Sequence, residues 1–167
     1  MLRNACRNLK ADGYFIATIP DYDEIITRLL ALSTSQDAWN SAVQQEEGVY
    51  RFRVGGEHHF LEFETKLSFT AFMSSLRLQP FGHKYTYFQA GSVERVPEYL
   101  IQPRALAELA AEEGLRIVES HNFMHMLETA DQSLLQRMGG TTTLSKECRQ
   151  IVGLFRTLVM TTRKRKK

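Results

Sequence analysis

Tyr14 to Asp21 reads YFIATIPD: a short, almost wholly apolar run closed by a proline. Such a run is expected of a strand buried on both faces of a parallel sheet, and Pro20, with no N–H for a ladder, ends it. Upstream, Leu2, Ala5, Cys6 and Leu9 recur at i, i+3, i+4 and i+7, one apolar helical stripe, and Gly13 stands where a C-terminal cap belongs. Downstream, Asp23 opens a second helix with Ile25, Ile26, Leu29 and Leu30 as its buried stripe, and the serine-rich STSQ ends it.

Farther out, Val49 to Val54 alternates Tyr50, Phe52 and Val54 with Arg51 and Arg53, a half-exposed strand whose second face is positive and could meet phosphate. From Val54 to Gln79 no steady period holds, and the stretch reads as an insert without assigned structure. Pro103 in a first turn, the stripe Leu106, Leu109 and Ala110, and Gly114 as the stop define a third helix, followed by a strand over Leu115 to Ser120. Asn122 to Met138 is helical with a break near Asp131, and Gly139-Gly140 closes it. Ser145 is the N-cap of a short helix, and Phe155 to Thr162 a last strand. Alternating helices and strands predict an α/β sheet rather than a sandwich or a bundle.

The chain has 167 residues, 43% hydrophobic and 24% charged, the size and balance of one globular domain. No stretch reaches the roughly 20 apolar residues of a membrane-spanning helix, and the N-terminus lacks the apolar region of a secretory signal, so a soluble intracellular protein without a membrane partner is expected. Cys6 and Cys148 form no CxxC pattern and read as reduced thiols. Residues 163 to 167 supply five positive charges, so the formal charge of +2 leaves −3 for the remainder. That basic tail is a nuclear localisation signal, a loose phosphate contact or a solvated terminus. His58 and His59 are adjacent and would face opposite sides of a strand, which excludes a zinc site built on them. Phe69, Phe72, Met73 and Leu76 have helical spacing and are read as core.

Three blocks, MLRNACRNLKADGYFIATIPD, FGHKYTYFQAGSVERVPEYLI and TLSKECRQIVGLF, occur in that order. Together they resemble eukaryotic mRNA cap guanine-N7 methyltransferases over most of the chain, except Gln36 to Gln79 and the connection from Glu128 to Thr142. The resemblance implies a class I (Rossmann-like) methyltransferase, α/β, with a seven-stranded doubly wound sheet whose last strand runs antiparallel between the fifth and sixth. Tyr14 to Ile19 would be strand five, Leu115 to Ser120 strand six and Phe155 to Thr162 strand seven, with an open edge on strand five. On this reading residues 1–167 are the C-terminal portion of the domain, with an atypical insert at about 54–79 and a basic tail at 163–167.

The implied function is transfer of a methyl group from S-adenosylmethionine to N7 of the cap guanine, in the nucleus, on the capped 5′ end of mRNA, with capping-apparatus proteins as further partners. No glycine-rich βα turn occurs in the sequence, so the donor contacts are expected upstream of Met1 and the chain alone is expected to be inactive. The alternative is a truncated, non-catalytic RNA-binding or interaction module. Glu98 in VPEYL matches the family's guanine-reading glutamate, a carboxylate that accepts N1–H and the exocyclic amine together, with Pro97 stiffening the turn that aims it. Pro20 matches a proline that packs at the cap guanine, and Asp21 stands where the family commonly has Asn. Phe155 aligns with a family tyrosine near the guanine and keeps its π face without the hydroxyl. Taken as residues alone, a solvated loop carboxylate, a strand terminator and a core aromatic are the commoner roles.

Overall fold

The computed structural model describes residues 2–137 and 144–162. In chain order it has α1 (Leu2–Asn8), β1 (Tyr14–Pro20), α2 (Tyr22–Leu32), α3 (Gln36–Ala42), β2 (Val43–Glu46), β3 (Val49–Gly55), β4 (His59–Thr65) and α4 (Phe69–Leu78). Then follow β5 (His83–Gln89), β6 (Val93–Leu100), α5 (Pro103–Glu112), β7 (Leu115–Asn122), α6 (Phe123–Thr129), α7 (Gln132–Arg137), α8 (Lys146–Val152) and β8 (Phe155–Thr162). Met138, the Gly139-Gly140 stop and the basic tail lie outside the described residues. The chain divides into two compact units, the first formed by residues 1–21 and 103–167, the second by residues 22–102.

The sheet of the first unit has the order β1-β8-β7, with β8 antiparallel to both neighbours. The last strand therefore sits between the other two, which are parallel to each other, as the resemblance implies for strands five, seven and six. The α6 helix starts on Asn122, whose side-chain oxygen accepts the Met124 N–H, and α8 starts on Ser145, whose hydroxyl accepts the Cys148 N–H. The break expected near Asp131 is real: its carboxylate accepts the Ser133 and Leu134 N–H groups and so begins α7. Gly114 stops α5 with φ near +81°, a conformation that costs a β-carbon residue more than glycine.

Burial of β1 on both faces is not what the structure has. Tyr14 and Ile16 are 64% and 67% exposed, because among the described residues β1 pairs only with β8 and one of its faces stays open. The turn ahead of it also differs from expectation. Gly13 donates to the Lys10 carbonyl, while the left-handed conformation falls on Asp12.

The second unit is a wholly antiparallel sheet of order β2-β3-β4-β5-β6. The stretch without a period in the sequence is regular here, as β4 and α4. Most of β4 is buried on both faces, so it shows no alternation to read. One face meets α4, whose Phe72 stacks on Phe52 at 5.1 Å between ring centroids and tilts onto Phe63 at 5.5 Å, with Met73 and Leu76 also buried. The reading of that helical stripe as core holds. The other face carries Phe60, stacked on Phe88, and the buried Glu62. In α2, Ile25 and Leu29 are fully buried whereas Leu30 is exposed, so the stripe is narrower than expected.

Candidate functional site

Pro20 closes β1 and Phe155 opens β8, and the two face each other directly in the ladder. Both are half-buried. Two of the three residues singled out in the sequence are thus brought side by side, where the carboxyl ends of the parallel strands β1 and β7 lie. In open α/β sheets this is the end at which ligands bind.

Asp21, the departure from the family pattern, is 2% exposed. Its carboxylate lies 3.1 Å from the Arg156 guanidinium and accepts a hydrogen bond from the Asn122 amide at 2.8 Å. The same amide group donates to the Gly153 carbonyl, and the Asp21 N–H donates to the Leu154 carbonyl. A buried carboxylate needs a counter-charge and hydrogen bonds to offset lost hydration, and Arg156 and Asn122 supply them. This network ties the ends of β1 and β7 to the turn before β8, so it holds Pro20 and Phe155 in place. The sequence reading missed Asn122 and Arg156 in this role. The one usable signal was the charge introduced where an amide is usual, which demands a cation nearby.

Glu98 lies in the second unit. It is not on a turn: it sits inside β6, an edge strand of its sheet, with Pro97 beside it. Proline is tolerated on an edge because its missing N–H leaves no ladder bond broken, so Pro97 stiffens a strand. Glu98 stands opposite Tyr85, whose hydroxyl donates a hydrogen bond to its carboxylate. Burial, and secondarily the Glu98 bond, push the Tyr85 hydroxyl well above the ordinary tyrosine range, so it is a donor throughout the physiological range. Tyr87 is raised as well, by burial and then by the Glu98 charge. Glu98 is therefore a half-buried, oriented carboxylate rather than a freely solvated one.

The positive face expected on β3 is neutralised. Arg51 pairs with Glu46 at 3.0 Å and Glu64 at 3.1 Å, and Arg53 with Glu62 at 2.7 Å while lying over the Phe60 ring. Arg95 closes on the other oxygen of Glu62. These arginines serve cross-strand ladders, which leaves little reason to give them a phosphate.

No glycine-rich turn joins a strand to a helix among the described residues. Asp21 alone separates β1 from α2, β7 runs straight into α6, and Gly55, with φ near +130°, lies in the β3–β4 hairpin. The described residues do not form the cradle that a nucleoside methyl donor takes in such a sheet.

A model of the mRNA (guanine-N(7))-methyltransferase domain matches residues 1–159. Proteins named mRNA cap guanine-N(7) methyltransferase are similar over most of the chain. The one from Drosophila melanogaster is 32% identical over 84% of the chain and 28% of its own length. The one from Cryptococcus neoformans is 28% identical over 83% and 20%, and that from Saccharomyces cerevisiae 27% over 73% and 24%. The chain spans about a quarter of the length of the curated relatives it matches.

Proposed function

Since the chain belongs to the mRNA (guanine-N(7))-methyltransferase domain family, we propose that it supplies the guanine-reading part of an enzyme that methylates N7 of the mRNA cap. The observation that carries this reading is the register of Pro20 against Phe155 at the ligand-binding end of the sheet, braced by the buried Asp21, Asn122 and Arg156. Phe155 offers a π face for the purine and Pro20 an apolar wall beside it; Glu98, in the second unit, is the carboxylate that the family resemblance matches to N1–H and the exocyclic amine.

The co-substrate is S-adenosylmethionine, which brings an already activated methyl group. The guanine N7 lone pair forms the new bond to carbon as the sulfur–carbon bond breaks, and its electron pair stays on sulfur. No protein nucleophile or base takes part. The protein's contribution is to fix the purine in line and dry, and Glu98 on the N1 edge also favours the positive charge that grows on the ring. Tyr85 holds that carboxylate from behind. Capped mRNA and other capping proteins are the partners, and the nucleus the place of action.

The test is transfer of labelled methyl from S-adenosylmethionine to GpppG-capped RNA, run on the chain alone and on the chain joined to a donor-binding half of a relative. Activity that appears only in the joined protein, and falls with Glu98→Ala, is the expected result. Absence of both transfer and cap binding would leave a non-catalytic interaction module.

A further inference from the structure

A pocket of about 330 Å³ opens in the first unit beside the end of β7. His121, His125, Met126, Leu134 and Leu135 line it, together with Asp131. The methyl-transfer reading makes no use of it.

Its place in the ladder is informative. Residues directly opposite each other on paired strands share a face, as do residues two apart on one strand. His121 stands opposite Thr157, Pro20 opposite Phe155, and Phe155 and Thr157 are two apart. All four therefore project from one face of the sheet. The Thr157 hydroxyl reaches the Met126 sulfur at 3.1 Å, which seats α6 over that same face. The pocket and the candidate guanine position are neighbours on one surface.

Its chemistry is that of a base rather than a phosphate. The His121 and His125 rings, both exposed, stack with centroids 5.6 Å apart and planes 27° apart, which presents an aromatic platform. Met126, Leu134 and Leu135 make the wall apolar. The Ser133 hydroxyl, then the Ser133 and Leu134 amides, hold the Asp131 carboxyl below its ordinary range, so an anion lines the pocket. That charge repels phosphate and accepts a hydrogen bond from an exocyclic amine.

We propose that this pocket takes a second nucleobase, that of the nucleotide joined to the cap guanine through the triphosphate, stacked on His121 and His125 with its amine toward Asp131. The proposal rests on the reading of Pro20 and Phe155 as the guanine position. It makes the enzyme a reader of GpppN rather than of guanosine triphosphate alone.

Imidazole NMR resonances of the five histidines, assigned by His121→Asn and His125→Asn, provide the test, with AMP, GTP and GpppA as titrants. AMP and GpppA should move the signals of His121 and His125 saturably and leave His58, His59 and His83 in place. GpppA should bind about tenfold more tightly than GTP, the lower end of what one base stack contributes. His125→Ala, and separately the pocket-filling Leu134→Trp, should bring that ratio to about one while GTP affinity is kept. Equal affinity for GpppA and GTP in the unaltered chain, or unmoved His121 and His125 signals, overturns the proposal. Loss of GTP binding in Phe155→Ala tests the guanine reading separately. If GTP fails to bind while AMP still moves the two histidines, that reading falls and the pocket stands as a base site only.

Discussion

Tyr85 and Glu98 show how one side chain sets the chemistry of another. The Tyr85 hydroxyl donates to Glu98, so on the proposed function a guanine edge would meet a carboxylate that is already oriented. Glu98→Ala in the joined protein should lower kcat/KM by roughly thirtyfold, the scale of a lost charged hydrogen-bond pair of about 2 kcal/mol; an unchanged rate removes Glu98 from the site. Tyr85→Phe should cost less activity and leave its mark on alkaline stability. The folded Tyr85 titrates above the unfolded value of 10.0, so its stabilising share is complete below pH 10 and is lost as pH rises from there toward the folded value. Chemical denaturation at pH 8 and pH 11 should therefore show a smaller alkaline loss in Tyr85→Phe than in the unaltered chain. From the sequence, Glu98 was legible only through the VPEYL resemblance. Its strand and its tyrosine were not, because the partner lies 13 positions away in the chain and Pro97 reads locally as a turn.

At the scale of elements, the network on Asn122 joins helix start, strand ends and a buried charge in one side chain. Asn122→Ala removes the α6 cap and two further hydrogen bonds, one of them to buried Asp21. The expected cost is about 2 to 4 kcal/mol in urea unfolding; a loss under about 0.5 kcal/mol would mean that Arg156 alone suffices for Asp21. In the second unit, Phe72→Ala should cost about 3 to 5 kcal/mol, since the ring is buried against Phe52 and Phe63. Elements with caps or a clean period were legible: α5 from Pro103 and Gly114, α8 from Ser145, and β8 from its apolar run. The order of β1, β8 and β7 came from resemblance, because β1 meets β8 across most of the chain and β7 meets β8 across three intervening helices, and neither pairing leaves a local pattern. β4 stayed hidden because its residues face burial on both sides, so its polar Glu62 breaks the hydrophobic run without marking an outer face.

At the scale of the whole molecule, the chain leaves the first unit after β1 and returns to it at α5, with a complete antiparallel sheet between. The three-stranded sheet keeps its two parallel strands on the outside, and among the described residues β1 has no second neighbour. That edge is long and carries Tyr14 and Ile16 exposed, and among the described residues no second strand pairs along it, which is the template for adding another strand. The chain on its own should therefore self-associate at tens of micromolar, with the larger species growing as concentration rises in light scattering. A lysine on the open face disfavours such stacking without touching the pairing to β8, since Ile16 meets Val159 through backbone groups that any residue provides. Ile16→Lys should thus shift the chain toward monomer and leave its circular dichroism unchanged. If Ile16→Lys associates as readily as the unaltered chain, the contact lies elsewhere than on β1, and the exposed edge is protected in a way that the ladder does not reveal.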